Sequence, residues 1–94
     1  MEIHKKVWTE YFEHIIHGGK KFDVRLADFE ASRGDILVLK EWDVQTQTYT
    51  GRCVRAEITF VLKMKTLPFW SSVEEREHGL QITQFELLHG HDDL

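Results

Sequence analysis

From Trp8 onward the apolar residues recur at helical spacing. Trp8, Tyr11, Phe12, Ile15 and Ile16 form one stripe, while Glu10, Glu13, His14 and His17 take the other side. Thr9 is the expected N-cap, with Glu10 in the first turn, where a carboxylate meets the positive end of the helix dipole. Gly18 and Gly19 end the helix, as residues that tolerate the left-handed conformation. Ahead of it, residues 2 to 7 suit a short strand onto which Trp8 and Phe12 should pack the helix.

At Lys21 the period changes to two, with Phe22 and Val24 on one face and Lys21, Asp23 and Arg25 in a charged row on the other. LADFEASRGD reads as an irregular connection closing in a Gly34–Asp35 turn. ILVLKEW, from Ile36 to Trp42, is rich in β-formers and reads as a central strand. DVQTQTYTGR has the composition of a hairpin loop. Val54, Ala56, Ile58, Phe60 and Leu62 then alternate with more polar residues, predicting a long strand with one buried face. Pro68 ends it, SSVEEREHG suits a helical turn, and LQITQFELL forms a last strand whose apolar parity shifts midway, as at a bulge.

These elements predict an α+β domain: a mostly antiparallel sheet of about five strands with one main helix. Strands this long relative to the helix hide their edges best by curling into a small β-barrel, the alternative being an open α+β sandwich. At 94 residues the chain is expected to be a single domain, 1–94, because halves could not bury cores of their own.

A formal charge of −4 argues against coating nucleic acid by bulk electrostatics and leaves room only for a local basic cleft. The single cysteine, Cys53, excludes an internal disulfide and a CxxC knuckle. MEIHKKVWTE lacks an apolar signal region, so a cytoplasmic setting is expected. No apolar run approaches the ~20 residues that span a bilayer, so no membrane partner is expected. His14 and His17 lack the HExxH arrangement, and His89, His91, Asp92 and Asp93 are a polar tail; neither predicts a metal, and no cofactor is expected. Cys53 has no base beside it in sequence and reads as a bystander.

GGKKFDVR, residues 18–25, carries the most chemistry. A lysine and an arginine near a carboxylate can engage phosphate or a nucleobase, the arginine as a planar fork and the lysine as a compact charge. Asp23 can orient Arg25 or accept a hydrogen bond from a base amine. The alternative is a solvated ion-pair ladder of Lys21, Asp23 and Arg25, contributing little. Trp42, Tyr49, Phe69 and Trp70 are candidates for base stacking, with Tyr49 and Trp70 favoured because they fall in loops. Arg52 either reaches the cleft or serves solubility. Glu57 is the carboxylate to watch for acid–base work.

The same stretch resembles the GxKxxExR signature of activating-signal-cointegrator homology (ASCH) domains: Gly18, Lys20 and Arg25 match, and Asp23 replaces the glutamate. EYF at 10–12, RLADF at 25–29, RGDILVLKEWD at 33–43 and YTGR at 49–52 are similar to a bacterial and phage family of unknown function within that group, over roughly residues 3–63. The resemblance implies a PUA-like pseudobarrel whose cleft, between helix and sheet, is lined by the signature residues and takes RNA or a modified nucleoside. One bacterial branch hydrolyses N4-acetylcytidine with a lysine, a threonine and a glutamate. The lysine falls on Lys20, the threonine position holds Asp23, and the glutamate has no assigned counterpart.

The leading expectation is therefore an RNA- or nucleotide-binding module using Lys20, Lys21, Asp23, Arg25, Tyr49 and Arg52, taken as a monomer. A small hydrolase of a modified nucleoside or of RNA, using Lys20, Asp23 or Glu57, is the second. A protein-interaction module with an apolar patch around Leu67, Phe69 and Trp70 is the third.

Overall fold

The computed structural model describes residues 1–64 and 78–88. Within them the chain forms β1 (Glu2–Trp8), α1 (Thr9–Ile16), β2 (Phe22–Leu26), β3 (Ile36–Asp43), β4 (Thr48–Met64) and β5 (Leu80–Leu87). The strands make one mixed sheet in the order β1-β3-β4-β5-β2, with β1 parallel to β3 and the other pairs antiparallel. Strands β1 and β2 follow one another in sequence yet occupy opposite edges. The sheet curls into a half-barrel, so these edges face each other across an open seam.

Helix α1 plugs the concave side. Phe12 and Ile15, both essentially inaccessible, meet Ile3 and Val7 of β1, Leu37 and Leu39 of β3, Val54, Ala56 and Ile58 of β4, and Phe85 of β5. Their burial, at about 25 cal/mol per Å² of apolar surface, drives the curl. Four expected details are corrected. Thr9 is not the cap: Trp8 occupies that position without a side-chain cap bond, and the Thr9 hydroxyl donates to the Trp42 carbonyl at 3.4 Å. Trp8 does not pack helix onto sheet, because β1 runs straight into α1 and leaves its side chain 52% exposed on the outward parity of the strand.

The hairpin loop is shorter than expected. Asp43 Oδ1 accepts backbone N–H bonds from Gln45 at 2.9 Å and Thr46 at 3.4 Å, so the turn closes at once and Thr48–Arg52 are already strand. Finally, the bulge lies in β4 and not in the last strand. Ile58 pairs with Phe85 and Phe60 with Gln84, leaving Thr59 as the extra residue. An inserted residue exchanges the faces beyond it, so Val61 packs on the core while Phe60 and Leu62 are exposed.

Gly18, at φ +81°, ends α1, and the N–H groups of Gly19 and Lys20 both donate to the His14 carbonyl, at 3.0 and 3.1 Å. A Cβ at Gly18 would meet nothing within 4 Å, so Gly18→Ala should lose only the backbone cost, about 1 kcal/mol by urea denaturation. The patch expected at Leu67, Phe69 and Trp70, the break at Pro68 and the tail at His89, His91, Asp92 and Asp93 lie outside the described residues. So does the helical turn expected at 71–79, apart from His78 and Gly79.

Candidate functional site

On β2 it is the charged side that turns inward. Asp23 is 6% exposed, while Phe22 and Val24 are nearly half exposed. Alternation fixes which residues share a face but not which face is buried, and here the concave side beyond the helix is polar. The ion-pair ladder in solvent is thus excluded for Asp23. Between β2 and β1 lies a cleft of about 470 Å³, walled by Lys6, Val7 and Trp8 of β1, Tyr11 of α1, Lys20, and Phe22 to Arg25. It occupies the seam of the half-barrel, and its size falls in the range of small-molecule sites.

Arg25 closes the floor of this seam. Its Nε donates to Asp23 Oδ2 and its Nη2 to the Lys6 carbonyl across the gap, both at 2.6 Å. Lys20 Nζ donates to the Phe22 carbonyl at 2.7 Å and lies 4.8 Å from the centre of the Phe22 ring. Burial holds the Lys20 ammonium below its ordinary range; Asp23 opposes that shift and Arg25 adds to it. Both cations retain N–H groups beyond those already bonded, so each can serve a ligand without breaking what positions it.

Behind Asp23 the register places two further polar residues on the concave face. Thr83 stands opposite Asp23 and Gln81 opposite Arg25. Each is 1% exposed. Gln81 Nε2 donates to the Phe29 carbonyl at 3.1 Å, but Gln81 Oε1 and Thr83 Oγ1 have no hydrogen-bond partner among the described residues. Buried polar atoms are nearly always bonded, so this pair is an exception in the packed interior behind Asp23, and neither residue lines the cleft itself. Both residues share the parity of Phe85 in β5, the one signal in sequence that could have found them.

The structure unites Lys20, Asp23 and Arg25 and separates the other expected residues from them. Lys21 turns away to pair with Glu86 at 3.7 Å. Glu57 is exposed and lines a different hollow with Lys20, Lys21 and Glu86. Tyr49 is on the convex face against Trp42, ring centres 4.9 Å apart. Among the described residues no three His, Cys, Asp or Glu side chains are grouped to hold a metal ion, and no helix is long and apolar enough to cross a membrane.

The family model described as "Domain of unknown function (DUF3850)" matches residues 3–71. The chain belongs to the DUF3850 family. Over 61 residues it is 43% identical to the "Uncharacterized 12.9 kDa protein in GpA 3'region" of Escherichia phage P2. That match takes in 64% of this chain and 54% of the phage protein, so the chain spans about half the length of the curated relative. Among solved structures, that of "hypothetical protein PH0355" is similar at a TM-score of 0.69 and 18% identity, covering 94% of this chain and 100% of that one. At that identity the likeness speaks for the fold alone. The likeness of residues 18–25 to the ASCH signature rests on those residues themselves.

The DUF3850 chain also holds a buried ion pair that its sequence only hinted at. Arg52 does not line the seam cleft: Nε donates to Glu41 Oε1 at 2.8 Å, and Nη2 to Glu41 Oε2 at 2.9 Å and Glu13 Oε1 at 2.6 Å. Thr50 Oγ1 adds a bond to Glu41, and the guanidinium lies 5.0 Å from the centre of the Phe12 ring. Glu41, 2% exposed, shares the inward parity of Leu37 and Leu39 and is a carboxylate in an apolar row. The Arg52 hydrogen bonds hold its carboxyl down to about 2 against the opposing effect of burial. This network clamps α1 to β3 and β4, and in doing so fixes the Tyr11 wall of the cleft.

Proposed function

We propose that the seam cleft binds a nucleotide, or a modified nucleoside, presented alone or at an unstacked position in RNA. The observation carrying this reading is the convergence of Lys20, Asp23 and Arg25 on one aromatic-walled cleft between the two sheet edges. Asp23 accepts hydrogen bonds from amino or imino groups of a base. Lys20 and Arg25 donate to its carbonyls or to a phosphate, and the Tyr11 and Phe22 rings flank it. The likeness to the ASCH signature points the same way.

With few cations in the cleft and a ligand too small to carry a condensed counterion atmosphere, mononucleotide binding should weaken only shallowly with salt, by ordinary screening. Titration calorimetry with nucleosides and nucleoside monophosphates at several salt concentrations measures this. Absence of binding to every nucleoside and nucleotide tried would remove the proposal.

A second reading, hydrolysis of an acylated nucleoside, is favoured by Thr83: its hydroxyl is buried, has no partner among the described residues and lies directly across the strand pair from Asp23. If it acts as nucleophile, Lys20 takes its proton as Oγ1 bonds the acetyl carbon, the C–N4 bond breaks with that proton passing to the leaving cytidine amine, and water then frees acetate from the ester; Thr83→Val and Lys20→Ala will each abolish turnover of N4-acetylcytidine. Thr83→Val should leave folding stability unchanged or raise it, since no hydrogen bond is lost. Wild-type protein that releases no acetate from this substrate would eliminate the second reading and leave the first intact.

A further inference from the structure

The convex face carries a row of aromatic rings next to the cleft. Register pairs Trp8 of β1 with Trp42 of β3, and Trp42 with Tyr49 of β4, placing the three residues in one row across neighbouring strands; the Tyr49 and Trp42 rings meet edge to face, and the Trp8 ring stacks on Tyr11 at 6.3 Å. They take the parity opposite to Val7, Leu39 and Glu41, which face the core. Trp8 and Tyr49 are 52% and 54% exposed. One row further along, Lys6 and Lys40 are paired in the same way. Lys6 Nζ lies 3.8 Å from the centre of the Trp42 ring, and neither lysine forms an ion pair among the described residues. The carboxylate of Glu2, at the far end of this face, is occupied by Arg55 at 2.6 Å and His4 at 3.3 Å.

We infer that this row is a stacking platform for single-stranded nucleic acid, continuing the path of a strand whose neighbouring nucleotide enters the seam cleft. The inference rests on the proposed function and gives it a partner: an unpaired strand, not an isolated nucleotide alone. Lys6 covers one face of the Trp42 ring, so Trp8 and Tyr49 are the rings that offer a π-face to a base, and the lysines beside them offer a cation to the backbone, the two halves of sequence-tolerant recognition. Lys6 and Trp8 belong to both surfaces, since they also wall the cleft. The platform therefore begins where the cleft opens. Two lysines confined to one end of one face give local positive charge in a chain of net charge −4, which suits a few phosphates and not a long duplex.

The test compares a mononucleotide with a labelled single strand of about eight nucleotides, within the site sizes typical of such grooves, using the full chain and fluorescence anisotropy. The strand should bind wild type more tightly than the mononucleotide. Tyr49→Ala should weaken strand binding at least about fivefold, and Tyr49→Phe should restore it. Lys40→Ala should lower the salt slope by about 1. Neither alanine variant should alter mononucleotide affinity, and both sites are exposed enough for the fold to survive. A strand that binds no tighter than the mononucleotide, or equally well to Tyr49→Ala, overturns the platform while leaving the cleft reading in place. Strand binding that is lost in Tyr49→Ala, with no mononucleotide binding at all, keeps the platform and overturns the cleft. Failure of both ligands overturns both.

Discussion

Replacing Arg52 by methionine should cost about 3 kcal/mol of stability, read as a lower urea midpoint with unchanged slope. The reason is Glu41, whose side chain is only 3% exposed and whose two oxygens both accept from Arg52. Removing one partner of a buried pair strands the other charge, typically at about 3–5 kcal/mol. The lower end applies because the Arg52 side chain is itself 39% exposed and Thr50 remains bonded to Glu41. Acid supplies an independent check. The folded carboxyl of Glu41 sits near 2, below its ordinary 4.5. Its contribution to stability is therefore complete above pH 4.5 and is lost as pH falls from there toward 2. That loss is on the order of 3 kcal/mol. In Glu41→Gln, the decline over this window should shrink by a similar amount, as followed by denaturation at stepped pH.

The second large effect concerns binding. Lys20→Met and Arg25→Gln should each reduce nucleotide affinity about 10- to 100-fold, the equivalent of one charge-assisted hydrogen bond. They should differ in stability. Lys20 gives up a bond to the Phe22 carbonyl from a partly exposed position, so its loss should be tolerated. Arg25 neutralises the buried Asp23 and bridges to Lys6 across the seam, so its loss should also destabilise the fold. The double variant Asp23→Asn, Arg25→Gln separates the two roles: removing both charges should recover much of the stability but none of the affinity. Circular-dichroism melts beside calorimetric titrations would read both quantities.

Much of the architecture was legible in the sequence. The stripe containing Phe12 and Ile15 showed α1, and alternation and runs of β-formers showed all five strands, because those residues bury against each other and their spacing records it; the start of β4 was missed, since Thr48–Arg52 have the polar composition of a loop. The exceptions share a cause. In β2 a period of two showed that Asp23 and Arg25 lie together, but only the curl of the sheet decides that they face inward. The inserted Thr59 in β4 exchanges faces without any composition cue, which made Phe60 and Leu62 read as core. Of the site, residues 18–25 were found because four charges, Lys20, Lys21, Asp23 and Arg25, cluster in one short stretch. Thr83 and Gln81 arrive from β5, nearly sixty residues away in sequence, through strand pairing. Arg52 stood out in sequence but Glu41 did not, and their union depends on a hairpin that brings residues eleven apart into contact.

The most direct test of the seam cleft is a chemical-shift titration of isotope-labelled protein with nucleoside monophosphates, N4-acetylcytidine and a short RNA. Shifts should concentrate at Lys20, Asp23, Arg25 and Thr83, with the Trp8 indole among them. No shifts with any ligand, or shifts confined to the exposed apolar face around Phe60 and Leu62, would contradict it.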